Sequence, residues 1–162
     1  MNAMEQILNA DLSHPEHAEA TLWLLNEYAK DDMGGGAGLT DFTRQNLIAE
    51  LKKRPNIHVI LAFVDSNPAG LALCIEGFSS FECKPLLNIH DLVVAPAYRG
   101  RGLSKRLLGK VEETATELGC GKLTLEVLEG NRVAQAAYRA FGFDGYELRP
   151  ETGKALFWQK KI

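Results

Sequence analysis

The pattern of apolar and polar positions along residues 86–108 predicts the central strand and helix of this chain. Leu92, Val93 and Val94 form a continuous apolar run rich in β-branched residues, which is typical of a buried strand. Pro96 ends that strand, because proline has no N–H for the ladder and fixes φ. After a turn that contains glycine, apolar residues recur at helical spacing and predict one buried face, made of Leu103, Leu107, Leu108, Val111, Ala115 and Leu118.

Patterns on either side of this stretch predict the remaining elements. A capping box at residues 13–16 predicts a helix that continues to Ala29, and residues 34–38 form a flexible glycine-rich linker. Thr40 and Asp41 cap a second helix, which Pro55 closes. The strands are expected at residues 5–10, 57–64, 69–78, 122–128, 143–148 and 155–159, with a last helix that begins at Asn131.

The order of these elements predicts a mixed α/β or α+β sheet in a single domain that spans residues 1–162. Residues 57–64 and 69–78 form an antiparallel hairpin around the turn at residues 65–68. The strand, helix and strand that follow form a parallel pair joined by a right-handed crossover. A chain of 162 residues without internal repeats can bury a substantial core as one domain.

Composition and charge change this picture mainly by what they exclude. The net charge of -3 argues against nonspecific binding to nucleic acid, which needs a basic face. Cys74, Cys83 and Cys120 are odd in number and lack metal-ligand spacing, so we expect no metal site and a reduced, cytoplasmic setting. The first residues carry no secretory signal and no apolar segment is long enough to span a bilayer, so no membrane partner is expected.

The turn at residues 98–102, YRGRG, has the chemistry of a phosphate-binding site. N–H groups at the N-terminus of a helix are free and partially positive, and glycine lets the backbone approach a ligand closely. The turn is not a P-loop, because the sequence contains no GxxxxGK(S/T) run. It also departs from the dinucleotide fingerprint GxGxxG, because Lys105 stands where the third glycine belongs. A strand-to-helix turn that binds no ligand is the plain structural alternative.

This turn resembles the signature of the GNAT superfamily of acyl-CoA N-acyltransferases. The match is V-x-P-x-Y-R-G-x-G-L at residues 94–103. Its core is Arg or Gln, then x-x-G-x, then Gly or Ala. Arg99 and Gly102 match that core, and Ser104 departs from it while remaining small.

A second stretch resembles the later signature of the same superfamily, N-x-x-A-x-x-x-Y-x-x-x-G-F at residues 131–143. Asn131 is a suitable N-cap for the last helix, and Gly142 is placed to stop it. The two motifs stand in the expected order, separated by a helix and a strand. The resemblance extends from Leu86 to about Tyr146, and the N-terminal half is similar only in its pattern of elements.

The resemblance implies a GNAT-like fold and acetyl-CoA as the cofactor. In that fold a mostly antiparallel central sheet contains a splayed parallel strand pair that admits the pantetheine arm. Backbone groups of residues 92–94 would line the pantetheine, and residues 100–105 would hold the pyrophosphate. The implied cofactor-binding residues are Leu92, Val93, Val94, Arg99, Gly100, Arg101, Gly102, Leu103, Ser104, Lys105, Asn131 and Ala134. Lys105, Arg106 and Lys110 either contact the ribose phosphate or form a solvated helix face.

The implied reaction is direct transfer of an acetyl group from acetyl-CoA to a primary amine of a small molecule or of a protein. By the resemblance, Tyr138 would protonate the departing thiolate; the alternative is an aromatic residue on a core-facing helix surface. His90 is the best-placed imidazole for proton removal, although polyamine acetyltransferases of the superfamily have a glutamate there. A hydrogen-bonded strand histidine is the alternative, and alternation places Asp91 on the opposite face of the strand.

Two further expectations concern function and assembly. A non-catalytic module that binds acyl-CoA as a sensor or scaffold is the functional alternative to the enzyme. Superfamily members often pair through C-terminal strands, and Leu156, Phe157 and Trp158 supply an apolar edge here, so we expect a homodimer. The acceptor would rest on the N-terminal helices, the glycine-rich segment and the last strands.

Overall fold

The computed structural model describes residues 4–162, which divide into two compact units. The larger unit ends at Leu128, and the smaller unit runs from Glu129 to Ile162. The described part of the smaller unit contains helix α4 (Arg132–Phe141). The larger unit contains, in chain order, β1 (Glu5–Asn9), α1 (Pro15–Lys30), α2 (Asp41–Lys52), β2 (Ile57–Val64), β3 (Asn67–Ser79), β4 (Lys84–Val94), α3 (Leu103–Glu117) and β5 (Leu123–Leu125).

The five strands form one sheet in the order β1-β2-β3-β4-β5. Neighbouring strands are antiparallel except β4 and β5, which are parallel and are joined through α3. The predicted mixed sheet, with its antiparallel hairpin followed by a parallel crossover, is therefore confirmed. Two 3-10 turns accompany these elements, Asp32–Gly34 after α1 and Pro96–Tyr98 after β4.

Helices cover both faces of the sheet, as the long apolar runs of its central strands require. Helix α3 packs tightly on one face at Gly70, where an added Cβ would meet Leu107 Cδ1 at 2.8 Å and the Val93 carbonyl oxygen at 3.1 Å. Helices α1 and α2 cover the other face. The buried cluster on that face consists of Ala20, Leu24, Leu25, Leu51, Val59, Leu61, Phe63, Leu71, Leu73, Val93 and Ala95.

The capping predictions differ in outcome. Thr40 caps α2 as predicted, because its Oγ1 accepts from the N–H of Thr43 at 3.2 Å. The capping box predicted for α1 is wrong. Helix α1 follows His14, which makes no side-chain cap, and Ser13 instead donates its N–H and hydroxyl to Asp11 Oδ1 at 2.9 and 2.6 Å. A serine side chain bonds readily to nearby turn groups, and here the aspartate turn before the helix takes it.

The strands predicted after α3 are mostly shorter or absent. The strand expected at residues 122–128 is confined to β5, and residues 143–148 and 155–159 form no strand. A single antiparallel bridge joins Glu147 and Lys154 within the described part of this region. Apolar and aromatic composition favours strands, but an isolated two-stranded pair is only marginally stable in water. Composition alone therefore does not decide the structure of the C-terminal segment.

Candidate functional site

A β-bulge interrupts β4 at His90. Along the β3–β4 ladder, Leu73 lies opposite Asp91 and Cys74 lies opposite Ile89, so His90 has no partner in the register. One extra residue in one strand bends that strand and disrupts the ladder locally. The parallel pairing of β4 with β5 stops at the same place, at Ile89 opposite Leu125.

Beyond the bulge, β4 continues to Val94 without β5 beside it. Its inner edge remains paired with β3 as far as Gly70 opposite Val94. The outer edge of residues 91–94 therefore has no strand partner in the part of the chain that the structure describes. Backbone N–H and C=O groups on such an edge are available to an extended ligand with amide groups. The splay that the resemblance implied is thus present, at the strand it implied.

The glycine turn follows directly from this open edge. Gly100 and Gly102 both have φ of 74°, in the left-handed region that favours glycine. Gly102 is the N-cap of α3 and offers no side-chain cap, and the helix ladder begins with the Arg106 N–H bonding the Gly102 carbonyl at 3.3 Å. The amides of residues 103–105 precede that first bond. They form the free, partially positive end of a helix, which suits a phosphate.

The three cationic side chains near the turn, Lys105, Arg106 and Lys110, differ in their bonding partners. Arg106 donates to Glu5 Oε2 at 2.7 Å and to the Arg101 carbonyl at 3.1 Å, so it fastens α3 and the turn to β1. Lys110 donates to Glu113 at 2.8 Å along the same helix. Lys105 is exposed and forms no ion pair within residues 4–162. Of these three cations, Lys105 is therefore the one with a free ammonium group near the turn.

The guanidinium of Arg99 donates hydrogen bonds to two other groups. Its Nε donates to the Val94 carbonyl at 3.0 Å, and its Nη2 donates to Asp31 Oδ2 at 3.0 Å. The pKa of the Asp31 carboxyl is lowered, first by the backbone N–H of Met33 and then by Arg99. Arg99 thus joins the end of β4 to the segment that follows α1.

Asp91 lies on the face of the sheet that α1 covers, because the register places it opposite the core residue Leu73. Burial raises the pKa of the Asp91 carboxyl, and the neighbouring His90 acts in the opposite direction. Burial and then the charge of Asp91 raise the pKa of Tyr28 on α1. Burial, and to a smaller extent the negative charge of Asp91, raises the pKa of the Cys74 thiol to about 12. A half-buried carboxylate therefore lies beside the exposed bulge residue.

Simple strand alternation could not locate Asp91, because the bulge resets the alternation at His90. Two other polar residues of these strands, Asn88 and Glu76, have structural partners. Asn88 donates to Thr124 Oγ1 at 3.0 Å and so ties β4 to β5 just before the strands part. Glu76 pairs with His58 at 3.3 Å across β3 and β2.

The second signature forms α4 and its two ends. Asn131 Oδ1 accepts from the Ala134 N–H at 3.2 Å, as expected of an N-cap. Gly142, with φ of 108°, ends the helix, and the Phe143 N–H bonds the Tyr138 carbonyl at 3.0 Å. The half-buried Tyr138 ring packs edge-on against Phe143, with 5.9 Å between the ring centroids. The local form predicted for this motif is therefore correct, and the cofactor and acid roles of its residues stay predictions.

Comparison with known proteins identifies the family. A model of the acetyltransferase (GNAT) family matches residues 6–143. The chain belongs to the GNAT family of acetyltransferases. This membership confirms the resemblance of the two motifs, the acetyltransferase class of the protein and acetyl-CoA as its donor. None of the helices within residues 4–162 has the length and apolar character needed to cross a membrane.

Individual relatives differ in how much of the GNAT chain they match. An uncharacterized protein of Mycobacterium leprae is 47% identical over 63 residues, which are 39% of this chain and 17% of that protein. Thialysine N-epsilon-acetyltransferase of Caenorhabditis elegans is 28% identical over 124 residues, 76% of this chain and 75% of the relative. The solved structure of aminoglycoside N-acetyltransferase AAC(6')-Iy in complex with CoA has a TM-score of 0.76 at 20% identity, over 100% of this chain and 98% of that one. It shows the shared fold.

Proposed function

We propose that this protein transfers an acetyl group from acetyl-CoA to a primary amine of a small molecule or of a protein. The observation that carries the proposal is the bulged β4, whose outer edge is open from the bulge to the glycine turn. Support for an amine acceptor comes from similar proteins whose names specify amine substrates. The Caenorhabditis elegans relative is named for thialysine, and the enzyme in the solved structure is named for aminoglycosides. We favour a small-molecule acceptor on that ground.

In this proposal the cofactor follows the strand and the turn. Backbone groups of residues 92–94 bond the pantetheine amides, and the amides of residues 100–105 hold the diphosphate. The open strand edge supports this placement because it has no strand partner among the described residues, although the Val94 carbonyl already accepts from Arg99 Nε. The free N–H groups at the start of α3 support the diphosphate site. Lys105 adds a positive charge beside the phosphates. The resemblance of the second motif is what assigns Asn131 and Ala134 to the cofactor.

Acetyl transfer first needs a neutral amine. A lysine-like amine has a pKa of ~10.4, so its free base at neutral pH costs roughly 4–5 kcal/mol. We propose that His90 accepts the proton, directly or through water, because it is the exposed imidazole at the bulge where the open edge of β4 begins. Asp91, beside it on the α1 side, supplies a carboxylate that attracts the ammonium form of the acceptor. The attacked carbonyl gains negative charge, which a backbone N–H on the open edge stabilises.

Departure of coenzyme A needs a proton for its thiolate. We propose that the Tyr138 hydroxyl donates it. A phenol titrates near ~10 and a thiol near ~8.5, so the transfer is uphill by roughly 2 kcal/mol unless the tyrosine is reprotonated at once. The half-buried position of Tyr138 leaves part of its side chain accessible, which is compatible with reprotonation from solvent.

Thiol release from acetyl-CoA in the presence of a broad amine mixture tests this function. The expected result is amine-dependent release, together with one mixture component that gains the mass of an acetyl group. Tight binding of acetyl-CoA without amine-dependent release would instead support the sensor or scaffold. Absence of both would reject the proposed function altogether.

We also propose a homodimer that forms through the C-terminal segment. Leu156, Phe157 and Trp158 are 74%, 75% and 82% exposed and lie outside any strand. Three consecutive large apolar side chains in water favour a partner surface. The single-domain organisation and the cytoplasmic location stay predictions from the sequence.

A further inference from the structure

Asp31 organises the glycine-rich segment that the sequence indicated as a flexible linker. Its carbonyl oxygen accepts from the N–H of Gly34 at 2.8 Å and from the N–H of Gly36 at 3.1 Å. Its Oδ1 accepts from the N–H of Met33 at 3.0 Å. The segment is also close-packed at its start, since a Cβ on Gly34 would lie 1.9 Å from the Tyr28 carbonyl oxygen. The first half of the segment is therefore ordered by Asp31, whereas Ala37 and Leu39 bond back to α1, at the Ala29 carbonyl and at Asn26 Oδ1.

The remaining carboxylate oxygen of Asp31 reaches the cofactor turn. Asp31 Oδ2 accepts from Arg99 Nη2 at 3.0 Å, although the two residues are 68 positions apart in the chain. The same guanidinium donates its Nε–H to the carbonyl of Val94, the last residue of β4. Arg99 is itself the first residue of the RGRG turn. One side chain thus joins the open strand edge, the turn and the glycine-rich segment.

The glycine-rich segment directly follows α1, the helix that covers the face of the sheet on which Asp91 lies. Asp31 follows α1, and its N–H bonds the carbonyl of Tyr28 at 3.0 Å. Tyr28 packs on the buried cluster beneath α1, which includes Leu73, and Leu73 lies opposite Asp91 in the register of β3 and β4. Asp91 in turn adjoins His90 on the bulge. Residues 31–39 are therefore connected through Tyr28 to the face of the sheet that carries Asp91.

We propose that Arg99 is a positioning residue that couples occupation of the acetyl-CoA turn to the conformation of residues 31–39 on the acceptor side. The inference rests on the proposed function, which places acetyl-CoA on the turn. A diphosphate bound at residues 100–105 restrains the turn and with it the backbone of Arg99, whose guanidinium then holds Asp31 in one position. Coupling between two ligands is reciprocal, so a bound amine should also tighten acetyl-CoA.

The exposure of the Asp31–Arg99 pair separates this role from a structural one. The two side chains are 30% and 51% exposed. Pairs this exposed contribute little to global stability, so their removal should scarcely change the unfolding transition. A selective effect on the acceptor side would therefore report coupling.

Asp31→Asn, Arg99→Gln and the double variant test the proposal. Asparagine keeps an oxygen for the N–H of Met33 and places an amide NH2 group, which is a neutral donor, where the charged acceptor Oδ2 faces Arg99. The matched control is Glu27→Gln, which removes another exposed pair on α1, with Lys30 at 2.7 Å. Amide hydrogen exchange of residues 31–39 is followed with and without acetyl-CoA, beside acetyl-CoA affinity, kcat and acceptor KM.

In the wild type and in Glu27→Gln, acetyl-CoA should protect residues 31–39 from exchange. Asp31→Asn should lose that protection and keep acetyl-CoA affinity within about twofold, while acceptor KM rises roughly two- to fivefold at nearly constant kcat. The double variant should have the same exchange protection and acceptor KM as Arg99→Gln, because both single changes remove the same interaction.

Wild-type protection in Asp31→Asn would overturn the proposal, as would an Arg99→Gln effect confined to acetyl-CoA affinity. A parallel fall in melting temperature and acetyl-CoA affinity together with a rise in acceptor KM would mean that the pair only supports the structure, and it would overturn the proposal as well. If the wild type binds acetyl-CoA but acetylates no amine, the proposed function fails. The exchange measurement still decides the coupling, because it needs acetyl-CoA alone.

Discussion

Replacement of Gly102 by aspartate tests whether the glycine turn holds the diphosphate of acetyl-CoA. Gly102 has φ of 74°, and a Cβ there would lie 3.3 Å from Arg106 Nη1, the tip of a flexible side chain that can move aside. A non-glycine residue in the left-handed region costs about 1–2 kcal/mol. The folded protein should therefore persist with a lowered melting temperature.

The effect on binding follows from charge. Two unit charges about 4 Å apart interact by ~1 kcal/mol in water and by ~4 kcal/mol near a protein surface. Against the two charges of a diphosphate in an exposed turn, we expect a penalty of roughly 2–4 kcal/mol. That penalty weakens acetyl-CoA binding by about 30- to 1,000-fold.

Calorimetric titration with acetyl-CoA measures this loss against two controls. Gly102→Asn has nearly the same shape without the charge, and asparagine tolerates positive φ. Gly119→Asp places the same charge just past the other end of α3, where φ is 72° and a Cβ meets nothing within 4 Å. We expect a few-fold loss for the first control and none for the second. The difference between aspartate and asparagine at Gly102 should shrink as salt screens the charge.

Equal acetyl-CoA affinity in Gly102→Asp and Gly102→Asn would refute the reasoning, because it would mean that no phosphate charge lies near the turn. Equal loss in Gly119→Asp would point to general damage to α3. The first result would remove residues 100–105 from the proposed cofactor site, and the second would mean that the loss in Gly102→Asp does not report on the diphosphate.

Four other predictions concern catalysis, pH, reactivity and assembly. Tyr138→Phe should lower kcat ~100- to 10,000-fold with little change in acetyl-CoA affinity, and near-normal kcat with chemistry rate-limiting would contradict the acid role. Because burial raises the pKa of Asp91, the protonated form is favoured in the folded state, and that stabilisation is lost as pH rises through the folded-state pKa. Asp91→Asn should therefore stabilise the protein at neutral pH but not at acid pH in denaturant titrations; equal shifts at both would contradict this. A thiol reagent should label the exposed Cys83 well before the buried Cys74, whose pKa is about 12, and comparable rates would refute that assignment. Light scattering should give twice the mass of one chain for the wild type and a mass closer to that of a single chain for Trp158→Ser. A strict monomer at high concentration would reject the dimer.

Local periodicity predicted most of the larger unit because it is set by neighbouring residues. The apolar positions of α3 from Leu103 to Ala115 are buried as expected, and the hairpin forms β2 and β3. The glycine turn adopts positive φ at both of its glycines for a reason visible in the sequence, since glycine reaches that region most easily. The same holds for the Thr40 cap and for the stop of α4 at Gly142.

Features that depend on distant partners were not predictable in this way. The bulge at His90 is defined by the register with β3, so counting along β4 placed Asp91 without knowing where the alternation resets. The C-terminal segment has the composition of strands, but pairing requires a neighbour, and the described residues there form one bridge. The glycine-rich segment looked like a linker because of its composition, whereas the hydrogen bonds that order it, to Asp31 and from Asp31 to Arg99, depend on the fold.

The sequence by itself determined the order of elements, the two family motifs, the glycine turn and the candidate residues Tyr138 and His90, because each depends on residue type and short-range spacing. Only the tertiary structure decided where β4 and β5 part, which face carries Asp91, and that Arg99 is bound to Asp31 rather than free beside the turn. These three facts are long-range hydrogen-bonding outcomes. They depend on which strands and loops meet once the core has formed, and no local pattern specifies that.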